Sequence, residues 1–355
     1  MRCVKTRGNL ALVSKLWRDA SKPAAAYPLR FDFGAFPDMH FCTRIPLIIG
    51  LLDNDEALSL PYERVVGFLD GVLGDVCDYA ASLGSVRLLK WARVNNLAWS
   101  RQTCNYAAEN GHLPALKYLH ENGCPWGLDV CSDAAHHGHL PVLKYLHENG
   151  CPRDGMTCYY AAHHGHLPAL KYLHENGCPW NEDTCSYAAQ NGHLSALKYL
   201  HENGCPWDSD TCCSAASIGH LPVLRYLHEN GCPWNEDTYM YAAQFGHLPA
   251  LKYLHENGCP WNSDACYHAA FTGHLPALKY LHENGCPWDS ATCSCAAYKG
   301  HLSALKYLHE NGCPWDSDTC RYAANYKRWD CLQYAVDNKC PRWEKYAEKY
   351  AKHLR

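Results

Sequence analysis

A block of 27 residues recurs about ten times in this 355-residue chain, and no other feature constrains the fold as strongly. The tripeptide Gly-His-Leu marks the period, beginning at Gly111, Gly138, Gly165, Gly192, Gly219, Gly246, Gly273 and Gly300. A short fixed period predicts a solenoid, in which each unit packs only on its neighbours. Residues shared by all units serve that packing, so we look for function where the units differ.

Each unit reads as two short helices. The first is expected to begin at an Asp-Thr pair such as Asp183 and Thr184, whose side chains can cap a helix, and to end at the Gly of Gly-His. The second places Leu113, Leu116 and Leu119 on one face and stops at an Asn-Gly pair followed by Pro. The pattern therefore predicts an all-α fold.

The shared stretch Ala-Ala-x-x-Gly-His-Leu-x-x-Leu-Lys-x-Leu-x-Glu-x-Gly closely resembles the two helices of the ankyrin repeat, over about residues 74–345. The ankyrin unit has about 33 residues, and the stretch missing here is where that family forms its β-hairpin finger. The chain is similar to short ankyrin-like repeats of predicted proteins in algae, oomycetes and giant viruses. The resemblance implies an ankyrin-like solenoid of about ten helix-turn-helix repeats without fingers, with the first helices lining a concave face.

A tryptophan follows nearly every Cys-Pro pair, from Trp126 to Trp315, with Arg153 as the one break in the series. A tryptophan buries a large area. We expect this series to close the junctions that the hairpin would otherwise close.

The chain divides into residues 1–72 outside the repeat, the array at 73–345 and a C-terminal capping helix at 346–355. The N-terminal region is expected to be small and helical. Within it, residues 9–20 resemble the closing helix of an F-box, in which an apolar residue, Ser and Trp-Arg recur. The resemblance implies an F-box remnant; the alternative is an ordinary amphipathic helix.

Composition excludes several partners. The net charge of −4 provides no basic field for nucleic acid. The longest apolar run, at residues 45–52, is too short to span a bilayer, and no apolar signal region follows Met1. We therefore expect a soluble monomer in the cytoplasm or the nucleus. Most of the 23 cysteines occupy repeat positions, which favours reduced, buried thiols over disulfides or metal ligands.

The units diverge mainly on one helix face. Counting from the Cys of the first helix, the core stripe comprises that Cys and the Ala residues at +3 and +4, whereas positions +1, +2, +5 and +6 should face away. These four positions vary, while the exposed Lys117 and Glu121 positions of the second helices hardly change. Uniform drift would alter both faces, so we interpret the variable face as partner-reading. Its candidate binding residues are Tyr159, Tyr160, His163, His164, Ile218, Met240, Phe245, Tyr267, Phe271 and Tyr298.

The sequence shows no set of nucleophile, base and orienting residue and no glycine-rich phosphate loop, so neither enzymatic activity nor a cofactor is expected. The function that the pattern favours is a non-catalytic scaffold for a protein partner. One alternative is the substrate-recognition subunit of an F-box-type ubiquitin ligase. The other is a histidine-rich metal-binding sensor or enzyme, since the pairs His136-His137 and His163-His164 occupy equivalent places in adjacent units.

Overall fold

The repeated sequence pattern corresponds to pairs of short α-helices. The computed structural model describes residues 76–127, 129–152 and 155–354, and within them it contains 21 α-helices and no strand. The F-box-like segment, the rest of residues 1–72 and Arg153 lie outside the described residues. The described chain falls into two units, divided between Val130 and Cys131.

Twenty of the helices form ten helix-turn-helix pairs, and the last stands alone at the C-terminus. The first unit contains α1 (Val76–Ser82), α2 (Val86–Val94), α3 (Arg101–Glu109) and α4 (Leu113–Glu121). The next pairs are α5 (Val130–His136) and α6 (Leu140–Glu148), α7 (Gly155–His163) and α8 (Leu167–Glu175), α9 (Glu182–Gln190) and α10 (Leu194–Glu202), and α11 (Ser209–Ile218) and α12 (Leu221–Glu229). They are followed by α13 (Glu236–Gln244), α14 (Leu248–Glu256), α15 (Ser263–Thr272), α16 (Leu275–Glu283), α17 (Ser290–Lys299), α18 (Leu302–Glu310), α19 (Ser317–Asn325), α20 (Trp329–Asp337) and α21 (Trp343–Lys349).

Packing follows the nearest-neighbour rule of a solenoid. In the second unit α7 packs on α9, α9 on α11, and so on to α19. The second helices pack on one another in order from α6 to α10 and from α12 to α20. In the first unit α1 packs on α3 and α2 on α4. Only Asn176–Asn181 separate α8 from α9, with no strand among them. These contacts confirm the predicted all-α solenoid without fingers.

The first helices begin earlier than the sequence suggested. Helix α9 starts at Glu182, and its N-cap is Asn181, whereas Asp183 and Thr184 lie inside the first turn. From Trp180 to Trp315 the residue after the tryptophan is therefore the cap, and the Thr at position N3 completes a capping box with Asn181, Asp208, Asn235 and Asp289. The sequence reading placed the cap two or three residues late because Asn and Asp after Trp were taken as part of the linker.

The core consists of the predicted stripes. Cys185, Ala188 and Ala189 of α9 are fully buried, as are Leu197 and Leu200 of α10. Equivalent residues are buried in the other pairs, because the small Ala side chains let successive first helices approach closely. All described cysteines are buried and carry free thiols.

A histidine and a glycine join each repeat to the next. The Nε2 of His247 donates to the carbonyl of Ser217 over 3.0 Å, a contact that spans 30 residues. Its ring lies so close to Gly219 that a Cβ there would be 2.5 Å from His247 Nδ1. Gly219 also has φ +78°, so both the backbone and the neighbour require glycine. The histidine of Gly-His-Leu is thus structural.

The tryptophans also link adjacent repeats. Trp207 stacks on His201 of its own repeat, with ring centroids 3.8 Å apart, and meets Tyr226 of the next repeat edge-on at 6.3 Å. His201 Nδ1 and the Tyr226 hydroxyl share a hydrogen bond of 3.0 Å. Tyr226 is in turn covered by Lys198, whose Nζ lies 5.3 Å from the ring centroid. The same His-Trp-Tyr stack recurs at Trp180, Trp234, Trp288 and Trp315.

Helix α21 packs against α19 and α20, and a 3-10 turn follows at Ala351–His353. There the His353 ring stacks on Trp329 of α20, with centroids 4.3 Å apart. No helix in the described part of the chain is both long and apolar enough to cross a bilayer.

Candidate functional site

The structure places the ten candidate residues on or just beyond five first helices, α7, α11, α13, α15 and α17. Ile218 and Phe245 are exposed by 47% and 45%, and the other eight are half-buried. A half-buried side chain can contact its neighbours and still present a surface to a partner. The candidates separate into a C-terminal aromatic group, an N-terminal group rich in histidine, and three residues between them.

The C-terminal candidates line what we call the aromatic groove, formed by the rings of Tyr267, Phe271, Tyr298, Tyr322 and Tyr326. Tyr267 stacks on Phe271 with centroids 6.1 Å apart, and Phe271 lies 6.0 Å from Tyr298. Tyr298 meets Tyr326 edge-on at 4.3 Å and Tyr322 at 6.0 Å. Rings from three successive repeats are therefore in contact across one surface.

The aromatic groove encloses about 400 Å³ and has a polar wall. Ser290, Ser294, Asp316 and Asp318 supply hydroxyl and carboxylate groups to its lining. Asp316 caps α19, because its Oδ1 accepts from the Asp318 backbone N–H over 2.9 Å. Helix capping thus fixes the position of a carboxylate beside the rings.

Two cations of the chain itself lie on the groove's rings. Lys299 Nζ is 4.2 Å from the Phe271 centroid and 5.0 Å from that of Tyr298. The Arg321 guanidinium is 4.8 Å from the Tyr322 centroid and pairs with Asp318 Oδ2 over 2.7 Å. These contacts hold the rings in place and leave the groove with both charge signs at its rim.

The sequence reasoning left Tyr322 and Tyr326 out of the candidate residues. A signal was available, since they occupy positions +2 and +6 in the last repeat, on the same helix face as the chosen residues. Tyr326 is 50% exposed, more than any aromatic candidate that was chosen.

The N-terminal candidates contribute to what we call the histidine cluster, formed by His136, Tyr160, His163 and His164. His163 Nδ1 and His164 Nε2 are 3.0 Å apart and form a hydrogen bond. The His136 ring lies 4.0 Å from that of His164 and 5.5 Å from that of Tyr160. The predicted juxtaposition of the two histidine pairs is therefore present within the second unit.

The close packing of these side chains shifts the pKa values of His164 and Tyr159. Burial, followed by the neighbouring imidazoles of His136 and His163, lowers the pKa of His164 to about 4. Burial and a hydrogen bond with Tyr187 raise the pKa of Tyr159 to about 12. The Tyr159 and Tyr187 rings meet edge-on at 4.6 Å. Near neutral pH the His164 side chain is thus uncharged and can both donate and accept hydrogen bonds.

The remaining candidates, Ile218, Met240 and Phe245, lie on helices between the groove and the cluster. The ring of Phe245 stacks on His247, with centroids 6.4 Å apart. Phe245 is the C-cap residue of α13, as Tyr326 is of α19, but in its repeat the next turn contains His247 instead of Arg328.

Position +1 faces the next repeat more often than solvent, which corrects the helix-wheel expectation. Ser186 Oγ lies 2.9 Å from Thr211 Oγ1 and Cys213 Sγ lies 3.4 Å from Thr238 Oγ1. Ser294 is likewise buried. Variation at +1 therefore reflects junction packing as well as surface chemistry, and positions +5 and +6 remain the most accessible.

Within the described residues, no three His, Cys, Asp or Glu side chains are grouped to hold a metal ion. The histidines of the cluster instead contact one another and the tyrosines. The F-box-like segment at residues 9–20 lies outside the described residues, so the ligase alternative has no structural description.

Comparison with known families agrees with the repeat geometry. The family model "Ankyrin repeats (3 copies)" matches residues 104–184 and 185–265, and "Ankyrin repeats (many copies)" matches residues 264–309. Together they cover more than half of the chain. The chain belongs to the ankyrin repeat family.

Among solved structures, this ankyrin repeat chain is similar to the crystal structure of the human ASB11 ankyrin repeat domain. The two are 19% identical with a TM-score of 0.39, over 44% of this chain and 84% of that domain. No curated protein sequence matches the chain significantly. Ankyrin repeats are in general protein–protein interaction modules and are typically non-catalytic.

Proposed function

We propose that this ankyrin repeat chain is a non-catalytic scaffold that binds a protein partner on its first-helix face, with the aromatic groove as the principal site. The observation that supports this is the meeting of five aromatic rings from three successive repeats around one groove. Binding energy at protein interfaces concentrates in such aromatic residues, above all tyrosine and tryptophan.

The groove's chemistry indicates what a partner presents. A volume of about 400 Å³ accommodates one or two side chains rather than a whole helix. The rings favour an apolar or aromatic side chain, and the Asp316 carboxylate with the neighbouring hydroxyls favours N–H donors. A short peptide segment of a protein supplies both, since backbone amides alternate with side chains.

Peptide selection tests the proposal directly. A random peptide display library is selected against the purified full-length chain, and the affinities of enriched peptides are measured. The groove variant replaces Phe271, Tyr298 and Tyr326 by Ser. We expect it to bind at least about tenfold more weakly, because truncating interface aromatics commonly costs more than 1 kcal/mol each.

A matched control replaces Lys252, Glu256 and Lys279, three exposed residues on the second helices, by Ser. The control should keep wild-type affinity, and both variants should keep wild-type helical circular dichroism. Binding that survives in the groove variant and is lost in the control would place the partner surface on the second helices and refute the proposal.

A further inference from the structure

Two cysteines, 20 residues apart, occur together in most repeats. One lies at the fourth position of the first helix, and the other precedes the Pro that follows the second helix. The described chain has the pair in eight repeats, as Cys104/Cys124, Cys131/Cys151, Cys158/Cys178, Cys185/Cys205, Cys212/Cys232, Cys266/Cys286, Cys293/Cys313 and Cys320/Cys340.

The fold brings each pair together inside its own repeat. The Sγ atoms of Cys131 and Cys151 are 3.1 Å apart, and both residues are buried. In four further pairs the first thiol donates to the backbone carbonyl of the second cysteine, over 4.0 Å from Cys104 to Cys124, 3.7 Å from Cys158 to Cys178, 3.9 Å from Cys266 to Cys286 and 4.0 Å from Cys293 to Cys313. The contact connects the beginning of a repeat with its end.

In six of the eight pairs the second thiol also donates to a backbone carbonyl at the start of the first helix. Cys205 Sγ donates to the carbonyl of Asn181 over 3.2 Å, and Cys232 does the same to Asp208. These carbonyls belong to the N-cap residues of the first helices. The fold thus sets the position of the second sulfur atom relative to the helix that carries the first.

We propose that the paired cysteines of these repeats form intra-repeat disulfides, one bond per repeat. The oxidant is a dissolved disulfide such as oxidised glutathione. A thiolate of the pair attacks glutathione disulfide and releases one glutathione thiolate. The second thiolate then attacks the protein sulfur of the mixed disulfide and releases the other. The pair loses two protons and two electrons, and one glutathione disulfide becomes two glutathione thiols.

Burial determines when this exchange can occur. The attacking species is a thiolate, so a raised thiol pKa slows the reaction. The interaction of the Cys185 thiol with Cys205, together with burial, raises the pKa of Cys185. The same causes raise the pKa of Cys293. Because both cysteines of every pair are buried, a dissolved disulfide reaches them slowly in the folded repeat, and the bond forms while the repeat is open, as during folding. In a reducing compartment the thiols are expected to stay reduced. The proposed disulfides form where a disulfide oxidant is present.

One repeat provides an internal control. Tyr239 replaces the first cysteine there, which leaves Cys259 without its usual counterpart in the repeat. Cys259 keeps the same bond to the N-cap carbonyl, from its Sγ to Asn235 over 3.4 Å. It should remain a thiol or a glutathione adduct while the other repeats close their bonds.

The test refolds the full-length chain from denaturant in a mixture of reduced and oxidised glutathione, then blocks free thiols and maps disulfides by mass spectrometry. We expect bonds between cysteines 20 residues apart, no bond to Cys259, and a melting temperature that falls when reductant is added. Largely free thiols, or a scrambled set of bonds between repeats, would overturn the proposal.

Two substitutions sharpen the result. Cys212→Ser should leave Cys232 unbonded and every other pair unchanged. Tyr239→Cys should create one additional bond, to Cys259, because it restores the pair in the repeat that lacks it. Absence of that new bond in a variant with wild-type circular dichroism would count against the proposal.

Discussion

Tyr239 is a residue whose side chain the repeat does not satisfy. It is completely buried, its ring meets Trp261 edge-on at 5.0 Å, and its hydroxyl has no hydrogen-bond partner. Tyr253 differs, because its hydroxyl shares a hydrogen bond of 2.8 Å with His228 Nδ1. A buried polar group without a partner destabilises a fold, whereas a paired one does not.

We therefore expect Tyr239→Phe to raise the free energy of unfolding by about 1 kcal/mol. The matched substitution Tyr253→Phe should lower it by a similar amount, since it leaves His228 without its hydroxyl partner. Urea denaturation of both variants measures the difference. If both substitutions destabilise the chain equally, the Tyr239 hydroxyl is satisfied in solution.

His164 makes stability depend on pH. Its folded-state pKa of about 4 lies below the ordinary value of 6.5, so the unfolded chain binds more protons between these two values. The stabilisation is complete above pH 6.5 and is lost as pH falls toward 4. Lowering the pH from about 7.5 to about 5 should therefore destabilise the wild type more than His164→Gln.

The comparison uses the change with pH in each protein, because His164→Gln also alters the contact with His163 at every pH. Denaturation at the two pH values gives both changes. Equal losses in the wild type and the variant would mean that His164 titrates normally and that other groups cause the acid sensitivity.

At the scale of the helix, the N-cap after each tryptophan sets where a first helix begins. Asp208 Oδ1 accepts from the backbone N–H of Asp210 over 3.0 Å and of Thr211 over 3.3 Å. Asp208→Ala removes both bonds and should cost about 1 kcal/mol. Asp208→Asn keeps an oxygen acceptor and should remain close to wild type in thermal denaturation. Similar losses in both would assign the effect to charge rather than capping.

The sequence predicted the buried faces of single helices better than the contacts between repeats. The spacing of Cys185, Ala188 and Ala189 predicts a buried stripe because helix periodicity is a local property. The burial of Ser294 could not be read from one helix, since it depends on where Thr319 of the next repeat lies, 25 residues further on. The thiol contacts depend on a helix-turn-helix fold that closes over 20 residues.

The candidate site could likewise be predicted only in part from the sequence. Variation at a fixed helix face singled out Tyr267, Phe271 and Tyr298, which are in contact. Phe245 lies on the same helix face, at position +6, but its ring stacks on His247, whereas Tyr326 at the same position of the last repeat contacts Tyr298. The direction of a side chain at a helix end depends on the following turn, which a helix wheel does not represent.

At the scale of the whole molecule, a destabilising substitution should affect mainly its own repeat and the adjacent ones. Leu224 of α12 is fully buried, and Leu224→Ala should destabilise its surroundings by about 2–5 kcal/mol. Because α12 packs on α14, amide protection should fall in these helices and much less in α18. Hydrogen exchange read by mass spectrometry measures this. A uniform loss across residues 131–354 would show that the unit unfolds as one.

The bond from the histidine of Gly-His-Leu to a carbonyl 30 residues earlier is formed by atoms that every repeat with that tripeptide possesses, the imidazole Nε2 and a backbone oxygen. This bond can therefore form between any two such repeats. If recombination between copies deleted or duplicated a 27-residue block, the new neighbours would share this contact, and the variable +1 positions would be the part that has to fit anew. A gene with this design can lengthen or shorten its product in whole repeats, and can exchange first-helix faces, while this bond between repeats stays the same.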